Sequence, residues 1–268
     1  MRRLAVTALA EFVHRRGDLH SSVETRTRAE EGISAQRRLQ RGMPEGYQIE
    51  RRVEAMVVIA GNDYRLGGRI DGCQADACLI EEYKATRGDP AKSHARNSSV
   101  HWAQTRLYGA LLAQELGVDD DQPWILRLVY VHPDSLRATC FEEPATTRQL
   151  TEFLADTLAW YDAWLVAQHQ HLCHRDTAIA ELRFPFANYR PHQRALAQRA
   201  YQALRDQEAL LLEAPTGSGK TMGVLFPALK ALPAATHQRL FYLTSRTTGA
   251  NAARQACERL DSAGEYLR

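Results

Sequence analysis

Glu213-Ala-Pro-Thr-Gly-Ser-Gly-Lys-Thr221 is the stretch on which the reading of this 268-residue chain turns. It follows a short apolar run, Ala209-Leu-Leu-Leu-Glu213, and leads into residues with helical spacing, which is the strand-loop-helix setting of a phosphate-binding loop. The strict pattern begins with glycine; here Ala214 stands first, followed by Pro215, Thr216, Gly217, Ser218, Gly219, Lys220 and Thr221. What an anion needs is still present. Backbone N–H groups from Thr216 to Thr221 can face it, Gly217 and Gly219 let the backbone curl close, and the following helix offers its positive N-terminus. Lys220 is expected to reach the β and γ phosphates of ATP, and Thr221 to ligate Mg²⁺ through its hydroxyl. A second apolar run, Arg239 to Thr244, completes a predicted βαβ unit of a parallel sheet.

Working outward, the length and the 44% apolar content predict two packed domains, 1–178 and 183–268. The 34 basic and 32 acidic residues nearly balance, so any nucleic-acid face must be local. Five cysteines, at 73, 78, 140, 173 and 257, include no CxxC pair, which argues for a reducing compartment and buried thiols. The N-terminus opens like a signal peptide, but Glu11 and His14-Arg-Arg16 cut its apolar run short. No stretch approaches the roughly 20 apolar residues of a membrane span. The expectation is a cytoplasmic protein.

Patterning predicts helices near 4–15 and 23–41, a β-meander over Ile49 to Ile59, Tyr64 to Asp71 and Cys78 to Lys84, and a helix from His94 to Leu116. A strand over Trp124 to His132, a long helix from Thr147 to His171 and a helix over Pro191 to Leu204 follow. Trp160, Tyr161 and Trp164 sit at helical spacing and read as core. His169, His171, Cys173 and His174 lack a second pair at zinc-finger spacing and read as the end of a helix. Arg37, Arg38, Arg41, Arg51 and Arg52 form a basic neighbourhood that suits either phosphates or solvent.

Phe184-Pro-Phe186 and Tyr189-Arg-Pro-His-Gln193, ahead of the phosphate loop, resemble the opening of superfamily 2 helicases of the XPD/DinG type. The resemblance implies that Gln193 reads the adenine edge with Arg190 in support. Downstream, Phe241-Tyr-Leu-Thr-Ser-Arg-Thr247 is similar to motif Ia of that group, implying that Thr244, Ser245, Arg246 and Thr247 grip a sugar-phosphate strand without reading its sequence. The resemblance runs over about 183–268 and stops before the acidic motif that hydrolysis needs. The chain is accordingly expected to be a fragment that binds nucleotide weakly without turning it over. An iron-sulfur cluster, where such helicases have one, would belong to the part beyond it.

Nearer the N-terminus, Gly68-Arg-Ile-Asp71-Gly72 precedes Leu79-Ile-Glu81-Glu82-Tyr83-Lys84. Residues two apart on a strand share a face, so Glu82 and Lys84 stand together, with Asp71 at the end of the preceding strand. Two carboxylates can hold Mg²⁺ or Mn²⁺ at a scissile phosphate, and an ammonium can orient water or offset developing charge. This trio matches the PD-(D/E)XK pattern. Gln104-Thr-Arg-Leu-Tyr108, one turn apart on the next helix, is similar to the QxxxY element of RecB-type nucleases. Such nucleases often carry a histidine ligand on an upstream helix; Gln36 occupies that place, which leaves three readings: Gln36 binding through water, Glu31 substituting from the same helix, or a weakened metal site. The expected architecture is α/β, a PD-(D/E)XK nuclease-like mixed-sheet domain followed by the start of a RecA-like P-loop parallel-sheet domain.

These readings point to an ATP-dependent DNA helicase with a metal-dependent nuclease domain, acting on single-stranded or branched DNA in its repair or processing. Two alternatives are a nuclease fold serving as a non-catalytic DNA clamp, and a P-loop ATPase unrelated to nucleic acid.

Overall fold

The computed structural model describes residues 2–16, 34–36, 38–39, 42–234 and 239–261. The chain divides into two compact units, Met1–Val166 and Ala167–Arg268. The division falls inside the helix that spans Thr147–Glu181. Among the described residues no helix is long and apolar enough to cross a membrane.

The first unit is a mixed α/β layer. Six strands, β1 (Arg2–Ala5), β2 (Tyr47–Ile59), β3 (Asn62–Gln74), β4 (Leu79–Ala85), β5 (Pro123–Val131) and β6 (Ala138–Thr146), form one sheet. Its order is β1-β3-β4-β5-β6, with β2 on the other side of β3. The predicted meander is present: β2 and β3 pair antiparallel from end to end except at Glu50 and Asp71, and β3 then pairs antiparallel with β4 over three positions. A helix, α2 (Pro90–Leu116), carries the chain across so that β5 lies parallel to β4. Helix α2 starts cleanly because Asp89 caps it by accepting a hydrogen bond from the Ala91 N–H at 2.9 Å and Pro90 occupies its first turn. It ends at Gly117, whose φ of 62° is the left-handed stop that glycine adopts without steric cost.

Two elements depart from the patterning. The predicted helix at 4–15 begins as strand β1, paired parallel with β3, and turns helical only as α1 (Val6–His14). Val6, Leu9 and Ala10 then reach zero exposure. Strand β6 was not expected, because it is an exposed edge strand with Glu142, Glu143 and Pro144 in place of an apolar alternation. The predicted helix at 23–41 lies mostly outside the described residues, although 34–36 and 38–39 are helical.

The core lies between the sheet and α1, α2 and the start of α3 (Thr147–Glu181). Leu66, Ile70, Ile80, Leu126 and Leu128 of the sheet meet Leu107, Leu111 and Leu112 of α2, all at 1% exposure or less. Each such side chain stabilises the fold by roughly 1.5–3 kcal/mol relative to exposure. Trp160, Tyr161 and Trp164 ring Phe12 of α1, but Trp160 stays half exposed and is not core. Cys73 and Cys78 are buried as expected, whereas Cys140 and Cys173 are exposed.

The second unit contains the end of α3, then α4 (Gln193–Arg205), α5 (Lys220–Ala234) and α6 (Thr247–Leu260). Its core joins Ile179, Met222, Leu225, Leu229, Leu232, Ala253, Ala256 and Leu260. The helices follow the expected order, but the predicted strands do not form. Ala209–Glu213 and Arg239–Thr244 carry no ladder among the described residues, with Leu211 99% and Leu243 90% exposed. An apolar run supplies strand propensity, but a ladder needs a neighbouring strand to hydrogen-bond with.

Candidate functional site

Strands β3 and β4 and helix α2 bring the five sequence-predicted residues of the first unit together. Glu82 is 4% exposed. Its Oε1 accepts a hydrogen bond from Lys84 Nζ at 2.6 Å, while its buried Oε2 has no hydrogen-bond partner among the described residues. Lys84 Nζ also donates to Gln104 Oε1 at 3.0 Å, which joins α2 to β4. Asp71 Oδ2 accepts the Tyr83 backbone N–H at 2.9 Å. Tyr108, buried one turn beyond Gln104, lies against Gly68, where an added Cβ would sit 2.6 Å from the phenol oxygen. The Arg69 backbone N–H donates to that phenol.

The electrostatics are those of a buried acid, Glu82, close to a half-buried one, Asp71. Burial pushes the Glu82 carboxyl up to about 7; the Asp71 charge adds to this and Lys84 opposes it. Burial likewise raises the Asp71 carboxyl, against the Tyr83 amide and the Lys84 ammonium. The Tyr108 phenol is raised by burial and then by Glu82 and Asp71. These directions share one physical cause: water that would solvate negative charge has been excluded.

Gln36 belongs to this site, in a role the sequence did not indicate. Its side chain hydrogen-bonds Asp71 and favours the charged carboxylate, so it holds a carboxylate by its amide. Glu31, Arg37 and Arg41 lie outside the described residues. Arg51 is committed to Glu115 at 2.8 Å. Among the described residues no three His, Cys, Asp or Glu side chains converge as a metal-binding group. The carboxylate pair Asp71 and Glu82 is what the site offers.

Sequence reasoning also missed His101 and Glu81. His101 stands one turn before Gln104 on α2 and bonds the Tyr130 phenol through Nδ1 at 2.8 Å. Burial, then Lys84 and His94, pushes its imidazole down to about 3, so it is neutral beside the ammonium. Spacing 101-104-108 on one helical face was the available signal. Glu81 points away from Glu82, as strand alternation requires, and is 1% exposed in a network with Tyr47, Tyr83 and Arg127.

In the second unit the predicted phosphate loop is curled as its glycines allow, with φ of 81° at Gly217 and 80° at Gly219. Lys220 Nζ turns back on the loop, donating to the carbonyls of Ala214 at 2.6 Å and Pro215 at 3.0 Å. Ser218 Oγ is buried without a hydrogen-bond partner among the described residues. Thr221 lies in the first turn of α5, and the exposed Thr216 precedes the glycines. Gln193 is 4% exposed and bridges two backbones: its Nε2 donates to the Gly219 carbonyl at 2.9 Å, and its Oε1 accepts the Arg190 N–H at 2.9 Å. The Arg190 guanidinium donates to the Gly217 carbonyl. Both residues thus grip the loop. Thr244 Oγ1 accepts the Arg246 N–H at 3.1 Å and donates to the Arg246 carbonyl at 2.6 Å, which shapes the turn through Ser245 into α6 at Thr247.

No known family model matches the chain. Over 47 residues, 18% of this chain, the sequence is 40% identical to the probable ATP-dependent helicase MJ0942 of Methanocaldococcus jannaschii. That stretch is 7% of the helicase, so the chain matches only a small part of its relative. The solved structure of SSO0001 aligns at 19% identity over 60% of this chain and 77% of that one, with a TM-score of 0.39. The chain is an α/β protein that shares a short stretch of sequence with a probable ATP-dependent helicase.

Proposed function

We propose that the chain joins a metal-dependent nuclease domain, about 1–178, to the nucleotide-binding start of an ATP-dependent helicase motor, about 183–268, and that it acts on single-stranded or branched DNA. The observation that carries the nuclease reading is the Glu82 Oε2, buried without a hydrogen-bond partner among the described residues and close to a second, half-buried acid, Asp71. Leaving such an oxygen unsatisfied costs about 1–3 kcal/mol or more, which a cation would offset.

The donor set fits Mg²⁺ or Mn²⁺, because Asp71 and Glu82 offer hard carboxylate oxygens. When bound between them, the ion would polarise a scissile phosphate and lower the pKa of a coordinated water. Gln36 and the Tyr83 N–H hydrogen-bond the Asp71 carboxylate and oppose the rise in its pKa that burial causes. Lys84, held between Glu82 and Gln104, carries a fixed positive charge suited to offsetting the charge that builds on a phosphoryl oxygen. Tyr108 packs from α2 against the backbone at Gly68. In the second unit Lys220 and the Thr216–Thr221 amides would take the phosphates of ATP, Thr221 its Mg²⁺, and Gln193 would link base recognition to the loop. Residues Thr244–Thr247 would contact a DNA backbone. The likeness of a 47-residue stretch to a probable ATP-dependent helicase supports the helicase part of the reading.

The test is incubation of the purified chain with single-stranded DNA and Mn²⁺. Cleavage abolished by Asp71→Ala and by Lys84→Ala is expected. DNA binding without any cleavage would favour the clamp, and absence of salt-dependent DNA binding would refute a nucleic-acid role.

A further inference from the structure

Behind Asp71 and Glu82, on the opposite face of the sheet, one row of residues crosses five strands. The register aligns Gly72 of β3 with Glu81 of β4, Glu81 with Arg127 of β5, and Arg127 with Glu142 of β6. The side chains follow that row. Tyr47 of β2 donates its phenol proton to Glu81 Oε2 at 2.5 Å, and Tyr83 donates to the same oxygen at 2.8 Å. Arg127 ion-pairs with Glu81 Oε1 and, through Nε at 2.7 Å, with Glu142. The Tyr47 phenol lies over Gly72, where even a methyl group would come within 1.8 Å of its oxygen.

The position of this row matters because the β3–β4 ladder is short. It consists of Gln74↔Leu79, Cys73↔Ile80 and Gly72↔Glu81. Asp71 and Glu82 are the next residue on each strand, just past the last pair. Two acids that repel each other, Glu82 buried and Asp71 half-buried, therefore sit where the ladder no longer holds their strands at a fixed spacing. The row ties that last pair from behind: Glu81 is one of its members, and Tyr47 rests on the other. Tyr83 links the two faces, since its N–H holds Asp71 in front while its phenol holds Glu81 behind.

We propose that Tyr47, Glu81, Tyr83 and Arg127 are positioning residues that hold the Asp71–Glu82 spacing for a divalent cation, so that the back of the sheet sets the metal affinity of the front. The proposal rests on the reading of Asp71 and Glu82 as metal ligands. It differs from a purely structural role in its readout: weakening the row should lower metal affinity more than an equal loss of stability elsewhere does.

The test is calorimetric titration of the full chain with Mn²⁺ alone. Tyr47→Phe removes one donor while leaving Glu81 its bonds to Tyr83 and Arg127, so the fold should persist; Glu81→Gln removes the charge. Each is expected to weaken Mn²⁺ binding by about 10-fold or more, the usual effect of losing a group that orients a ligand. Leu9→Ala, a core cavity far along the chain from the row, should lower the Tm yet leave the Mn²⁺ Kd within about twofold of wild type. If Tyr47→Phe and Glu81→Gln both bind Mn²⁺ as wild type does, or if Leu9→Ala weakens binding as much as they do, the proposal is overturned. Asp71→Ala separates the two ideas: Mn²⁺ binding that survives it refutes the ligand assignment itself, whereas binding lost in Asp71→Ala but intact in the row variants refutes the positioning role alone.

Discussion

Replacing Glu82 by Gln should change the stability of the metal-free protein by an amount that depends on pH, and the structure sets both the size and the sign. Burial lifts the Glu82 carboxyl from an ordinary 4.5 to about 7. At 1.36 kcal/mol per pKa unit, that difference corresponds to about 3 kcal/mol. Because the folded value is raised, the folded chain keeps the proton to higher pH than the unfolded chain. The associated stability is complete below about 4.5 and is lost as pH rises through about 7. Gln does not titrate. Any fixed penalty for burying its amide is the same at every pH, so it cancels when the wild type and the variant are compared at two pH values. Between pH 4.5 and pH 8 the wild type should lose about 3 kcal/mol relative to Glu82→Gln. His101, whose lowered value gives the opposite slope, is present in both proteins and cancels too. Urea unfolding in EDTA, followed by tryptophan fluorescence, is the assay. All four tryptophans, Trp102, Trp124, Trp160 and Trp164, fall in the first unit, so the signal reports on it. Excess Mn²⁺ at pH 8 should then restore the wild type selectively, by about 2.7 kcal/mol at 100-fold over Kd. A stability difference that stays constant within about 1 kcal/mol from pH 4.5 to pH 8 would refute the reasoning, because it would mean that Glu82 is not held against ionisation.

Gly68→Ala should push the Tyr108 phenol off β3, lowering stability by about 1–3 kcal/mol and abolishing cleavage. Adding Tyr108→Phe should recover part of the Tm, and a Tm unchanged by Gly68→Ala would contradict the close approach seen there. In the second unit, Gly219→Ala should weaken binding of a fluorescent ATP analogue by more than tenfold, since its Cβ would meet Gln193 Nε2 at 2.3 Å with φ at 80°. Gly217→Ala, which has open space at φ 81°, should cost less, and equal losses in the two would show that backbone strain alone matters.

Much of the candidate site was legible because its residues sit at short, regular spacings. Glu82 and Lys84 are two apart on a strand, and Gln104 and Tyr108 four apart on a helix, so local geometry alone puts each pair on one face. Gln36 was noticed only as a departure from a resemblance; its bond to Asp71 spans 35 positions and no spacing announces it. Strand β6 escaped because an edge strand needs no apolar alternation, and β1 because four residues beside a helix carry too little pattern. The apolar runs flanking the phosphate loop misled in the other direction. Leu211 and Leu243 have the composition of buried strands, yet composition cannot provide the neighbouring backbone that a ladder requires.

By itself, then, the sequence determined the helices, the meander, the left-handed glycines of the phosphate loop and the identities of the acids and the lysine, since each follows from contacts within a few residues. Tertiary structure alone decided which of the two acids stands beside Asp71 and how deeply it is buried. Glu81 and Glu82 are adjacent and chemically identical, but strand alternation and the packing on each face send Glu81 to two phenols and an arginine and leave Glu82 with a buried oxygen unsatisfied. That difference arises from burial and long-range partners, which only the folded chain brings together.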